Sequence, residues 1–166
     1  MINCFKNKKI KNISEGAFTT KLIINKFNKD IIDSLSDLYI IALGTNDIRY
    51  RDSNICSMNS SEYIYYIDKI VNLTKNHKAH YIFIAPWFSM NDDYVSKLNH
   101  LDKKLMMKEY SFKLKEYAEK NNYVFIDPNN YIERIVMANK ETFMVDFIHP
   151  NNPVGIELYC EGIFMN

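Results

Sequence analysis

Glycine and proline are scarce in this sequence, with four of each in 166 residues, so each glycine marks a place where the backbone has a reason to lack a side chain. Cysteine is scarce too. Cys4, Cys56 and Cys160 are odd in number and widely spaced. That excludes a disulfide framework and offers no zinc site, and it suits a reducing compartment. No metal and no cofactor is called for. Charge of one sign is also missing: 21 basic against 20 acidic side chains leave a formal net charge of +1. No field of one sign is available to draw the chain onto nucleic acid or an anionic membrane, so neither is expected as a partner. No apolar run is long enough to span a bilayer. The opening MINCFKNKKIKN has no apolar h-region and no small-residue cleavage site, which predicts a cytoplasmic location. What is present is ordinary for a globular protein: 47% hydrophobic and 25% charged residues, enough for a real core and too apolar for disorder. The length fits a single domain, 1–166.

Four short apolar runs read as strands: Ile10 to Ser14, Asp37 to Leu43, His80 to Pro86 and Tyr123 to Asp127. LYIIAL and YIFIAP do not alternate with polar residues, the pattern of parallel strands buried on both faces. Helices are expected between them. Ile23, Phe27, Ile31 and Leu35 recur every four residues behind Thr19 or Thr20 as N-cap. Asn59 and Glu62 form a capping-box pattern before an inner face of Ile64, Ile67 and Val71. A long helix is expected from Ser96 to Lys120 and a short one around Ile132, Ile135 and Val136. Asn152-Pro153 opens a last helix. Strands alternating with helices predict an α/β, doubly wound parallel sheet. In such sheets ligands bind beyond the carboxyl ends of the strands.

Three motifs fall there. Gly44-Thr45-Asn46-Asp47 follows a central strand; the glycine permits a sharp turn and the Asn46 amide is a donor above the sheet, although Gly, Asn and Asp are turn residues in their own right. Asp146-Phe147-Ile148-His149-Pro150 precedes the last helix. An aspartate three residues before a histidine can accept the Nδ1 proton and leave Nε2 as general base. Gly16, between the first strand and the first helix, reads as a turn glycine or as a backbone N–H donor to an oxyanion.

In this order the residues resemble the SGNH hydrolases, also called GDSL esterases. Gly44 to Asp47 matches the third sequence block of that family, and Asp146, His149, Pro150 and Gly155 match the fifth. Gly16, with Ala17 and Thr19 behind it, matches the second more loosely. The resemblance implies a three-layer, flavodoxin-like parallel sheet in the order 2-1-3-4-5. It also implies ester hydrolysis by a Ser-His-Asp mechanism. His149 would be the general base and Asp146 its orienting partner. The Asn46 amide and the Gly16 N–H would be two of three oxyanion donors.

The Gly-Asp-Ser block that supplies the family's nucleophile is absent. Only fifteen residues precede Gly16, and their one serine, Ser14, stands two positions from it. Cys4 lies in the wrong segment to replace the nucleophile. The expectation is a chain that begins after its own nucleophile, inactive as it stands, with the first central strand of the sheet missing. The strands at Ile10 to Ser14 and Asp37 to Leu43 should then either leave a slot of ~10 Å or pair directly. Ile13 and Ile40 should be more exposed than their neighbours in the open case, and the gap invites self-association. Arg49, Arg51 and Trp87 lie where a substrate would sit. An arginine can bind a carboxylate or sugar hydroxyls, and an indole can stack on a sugar. These features point to small acyl esters, acetyl among them, on a saccharide. The alternatives are an O-acyltransferase and a non-catalytic module that keeps the cleft and binds a glycan or a protein.

Overall fold

The computed structural model describes residues 8–30, 36–49, 58–75, 79–87, 100–131 and the separate positions 134, 157, 160, 161 and 163. Its elements are α1 (Thr20–Asp30), β1 (Leu38–Ala42), α2 (Thr45–Arg49), α3 (Ser60–Thr74), β2 (His80–Ile84), α4 (His100–Lys120) and β3 (Val124–Ile126). The three strands form a parallel sheet in the order β1-β2-β3. This is the expected α/β class, with helices in the crossovers. Among the described residues no helix is long and apolar enough to cross a membrane.

The register explains the core. Ile41 pairs with Phe83 and Phe83 with Phe125, so their side chains share one face; Tyr39 and Tyr81 lie on it too. The Phe83 ring meets Tyr117 of α4 edge-on at 5.9 Å, and the Tyr81 hydroxyl lies 3.1 Å from that of Thr74 in α3. Helices α3 and α4 therefore cover this face. Their own contact is built on Tyr63 and Tyr110, both fully buried and stacked at 4.7 Å. The capping box of α3 is present: Asn59 Oδ1 accepts from the Glu62 N–H, and the Glu62 carboxylate accepts from the Asn59 N–H, both at 2.9 Å. Its buried face is Tyr63, Ile67, Ile70, Val71 and Thr74, with Ile64 only half-buried. The tyrosine replaces Ile64 on the inner face because its ring reaches Tyr110 and its hydroxyl reaches the Leu43 carbonyl.

Two strand expectations are corrected. Residues 9–15 form no strand. The Ser14 N–H is taken by the Asn12 side chain at 2.9 Å, a local turn that competes with a ladder. There is thus neither a slot between two strands nor a direct pairing, and Ile13 is half-buried among exposed neighbours. β1 is not buried on both faces either: Ile40 is 49% exposed while Ile41 is 9% exposed. Among the described residues β1 is an edge strand, and the row Ile40, Ile82, Val124 lies on the face opposite α3 and α4. Ile40 and Val124, at 49% and 53% exposure, are exposed because this face carries neither α3 nor α4.

The helix expected from Ser96 is described as α4 from His100 onward. The helix expected near Ile132 falls largely outside the described residues, and so does the last one apart from helical positions 157, 160, 161 and 163.

Candidate active site

The carboxyl ends of the three strands are stitched together by side chains. Gly44 turns the chain out of β1 with φ +117, directly under Pro86 and Tyr63. Four residues then close a short helix, the Ile48 N–H donating to the Gly44 carbonyl at 3.0 Å. The Gly-Thr-Asn-Asp motif is thus a helical turn, α2, and not a loop. The Thr45 hydroxyl donates to the Trp87 carbonyl at 2.8 Å, which ties α2 to the end of β2. Asn129, just past β3, donates through Nδ2 to the Pro86 carbonyl at 3.0 Å.

The segment 16–20 is brought onto α2 by two neighbouring side chains. Asn46 donates through Nδ2 to the Phe18 carbonyl at 3.0 Å. A carbonyl can only accept, so this bond fixes which end of the Asn46 amide is nitrogen. The second Nδ2 hydrogen has no partner among the described residues. Asp47 is fully buried. Its Oδ1 accepts from the Thr20 hydroxyl at 2.7 Å and from the Thr20 N–H at 3.1 Å, and its Oδ2 lies 3.2 Å from the same N–H. That N–H is one of the unpaired donors at the start of α1. Thr19 serves the next turn, its hydroxyl accepting from the Leu22 N–H at 3.3 Å. Thr19 is therefore the N-cap of α1, and Thr20 is the residue held by Asp47.

Burial pushes the Asp47 carboxyl up from 3.8 to about 6, with the Thr20 bonds pulling it the other way. The folded chain therefore keeps this proton to a higher pH than the unfolded chain does. The stabilisation is fully present below pH 3.8 and is lost as the pH rises through about 6. Asp47→Asn should remove this dependence. Urea unfolding at pH 4 and pH 7 will show the wild-type advantage over the variant shrinking by up to ~3 kcal/mol on going to pH 7. An unchanged difference would contradict the assignment. Burial, and then the nearby Asp47 charge, push the Tyr63 phenol up, so it remains a neutral donor to the Leu43 carbonyl at 3.0 Å.

Of the residues singled out from sequence, Asn46 stands at the carboxyl edge against the segment that carries Gly16. Gly16 is exposed, a Cβ there would meet nothing within 4 Å, and the left-handed residue of its turn is Ala17, with φ 64. Gly16 thus lies in a turn, as expected, but the turn's left-handed conformation is carried by its neighbour. Trp87 is half-buried on the same edge, tied to α2 through its carbonyl. Arg49 lies in α2. Arg51, Asp146 and His149 lie outside the described residues. The sequence reading missed the structural parts played by Asp47, Thr20 and Tyr63. Among the described residues no cluster of His, Cys, Asp or Glu could hold a metal ion.

No protein-family model matches the sequence, and no curated protein matches it. Solved structures do. A GDSL-like lipase from Parabacteroides merdae superposes with a TM-score of 0.78 at 15% identity, over 99% of this chain and 77% of that one. LAE5, an α/β hydrolase from the metagenome of Lake Arreo, gives 0.79 at 16% identity, over 99% and 75%. Axe2, an acetylxylan esterase from Geobacillus stearothermophilus, gives 0.72 at 19% identity, over 90% and 67%. The chain has the fold of the SGNH, or GDSL, hydrolases.

Proposed function

We propose that the chain carries the oxyanion side and the base of an SGNH-type ester hydrolase acting on small acyl esters, acetyl among them, of carbohydrates. The observation that supports it most is the Asn46 amide, oriented by the Phe18 carbonyl at the carboxyl edge of a parallel sheet, with its second hydrogen unpartnered among the described residues. In this reading a serine hydroxyl attacks the ester carbonyl and gives its proton to His149 Nε2, while Asp146 holds Nδ1–H. The carbonyl oxygen becomes an oxyanion and is met by Asn46 Nδ2–H and the Gly16 N–H. The tetrahedral intermediate collapses, His149 protonates the departing alcohol, and water repeats the sequence on the acyl-enzyme. The 166 residues contain no Gly-Asp-Ser to supply that serine. A parallel strand paired along the edge of β1 that is unpaired among the described residues would put one at its carboxyl end, beside Asn46. The saccharide part rests on Trp87 at this edge, on the arginines after Asn46, and on the fold shared with an acetylxylan esterase.

The test is turnover of p-nitrophenyl acetate by the 166-residue chain and by a chain extended with the in-frame sequence upstream of Met1. The shorter chain should stay at background. The extended chain should turn over and lose at least about 10³-fold with His149→Ala. Background rates from both would overturn the catalytic reading. They would favour a module that keeps the cleft to bind a glycan.

A further inference from the structure

Asn46 has a second anchor that the oxyanion reading does not use. Asn46 and Asp47 are consecutive in α2, and each bonds the same five-residue segment, one at Phe18 and the other at Thr20. Asp47 is fully buried, and its carboxylate takes both polar hydrogens of Thr20. The Thr20 hydroxyl also lies 3.5 Å from Sδ of Met58, the residue before the N-cap of α3. The site end of the segment, at Gly16 and Ala17, is exposed by contrast, with a left-handed alanine between Gly16 and the Phe18 carbonyl. Gly16 itself packs against nothing, as a Cβ there would have no neighbour within 4 Å, and the ties beside it are exposed ones to α1: Glu15 pairs with Lys26, whose ammonium also lies 5.1 Å from the centre of the Phe18 ring. The buried tie, and so the firmer hold on the Phe18 carbonyl and on the direction of the Asn46 amide, is the one at Thr20.

We infer that Asp47 is a positioning residue of this site: by gripping Thr20 it places the Phe18 carbonyl that aims the Asn46 Nδ2 hydrogens and sets the Gly16 N–H relative to them. The inference gives Asp47 a part in the proposed oxyanion site and rests on that reading for its catalytic meaning; its geometry is tested without turnover.

The experiment uses the 15N-labelled 166-residue chain and reads solvent exchange of the Asn46 side-chain NH2 by NMR, the signal being assigned by its loss in Asn46→Asp. The Asn129 NH2, which donates to Pro86 on the same edge, is the internal reference. In Asp47→Leu the Asn46 signal should exchange at least tenfold faster with Asn129 unchanged. Asp47→Asn keeps an acceptor oxygen for Thr20 and should restore wild-type exchange. If Asp47→Leu does not fold, Thr20→Val, which deletes only the hydroxyl, should still accelerate Asn46 at least threefold. Unchanged Asn46 exchange in the folded variants overturns the inference, and so does equal acceleration of Asn46 and Asn129, which marks general loosening. Failure of the extended chain to turn over an ester would overturn the hydrolase reading and leave this exchange result where it stands.

Discussion

Gly44→Ala should cost about 3 kcal/mol or more of folding stability, a large part of the roughly 5–15 kcal/mol that holds a domain of this kind together. Two separate terms add. At φ +117 the backbone is in a region that L side chains rarely adopt, which costs on the order of 1–3 kcal/mol. The new methyl would also stand 2.6 Å from Pro86 Cγ and 3.2 Å from Tyr63 Cε2. Neither neighbour can step aside cheaply. The Pro86 carbonyl is held by Asn129, and Tyr63 is fully buried, stacked on Tyr110 and bonded to the Leu43 carbonyl. Overpacking of that kind adds roughly 1–3 kcal/mol. Gly16→Ala is the control. Its Cβ meets nothing within 4 Å and its φ is not left-handed, so its urea midpoint should stay close to wild type. A Gly44→Ala protein as stable as Gly16→Ala would refute the account.

That contrast also marks where the sequence was readable. The capping box at Asn59 and Glu62 was legible because its whole chemistry lies within four residues. The three strands that pair were legible as unbroken apolar runs between helical stretches. The run at Ile10 to Ser14, Ile-Lys-Asn-Ile-Ser, is broken by polar residues, and the Asn12 side chain takes the Ser14 N–H that a ladder would need. Gly44 and Gly16 look alike in sequence, yet only Gly44 is required, because what fixes it is Pro86, more than forty residues further on. Asp47 was hidden for the same reason. It sits in a turn-forming tetrapeptide, and only the fold brings Thr20, 27 residues earlier, to its carboxylate. The exposed Ile40 inverts the lesson. Its run reads as buried on both faces, and the exposure arises from what lies over the face it shares with Val124, which is no property of the run itself.

In the extended chain that turns over ester, Asn46→Ala should lower kcat by about 10²–10³ with KM little changed, because in the proposed oxyanion role the amide meets charge that exists only in the transition state. The structure separates this from a folding defect. Among the described residues the Asn46 side chain makes one bond, to Phe18, and that bond is worth about 0.5–1.5 kcal/mol, so the variant should fold with only a modestly lower urea midpoint. Asn46→Asp sharpens the test. It preserves size but replaces the donor by a carboxylate facing the Phe18 carbonyl, two acceptors with no hydrogen between them at neutral pH. It should therefore be at least as inactive as the alanine variant, whereas a role in binding bulk or shape alone would leave it close to wild type. Equal kcat values for wild type, Asn46→Ala and Asn46→Asp would remove Asn46 from the oxyanion site. The loss of kcat should also exceed that of Asp47→Asn by at least tenfold, since Asp47 acts through Thr20 and Phe18 and does not itself touch the ester.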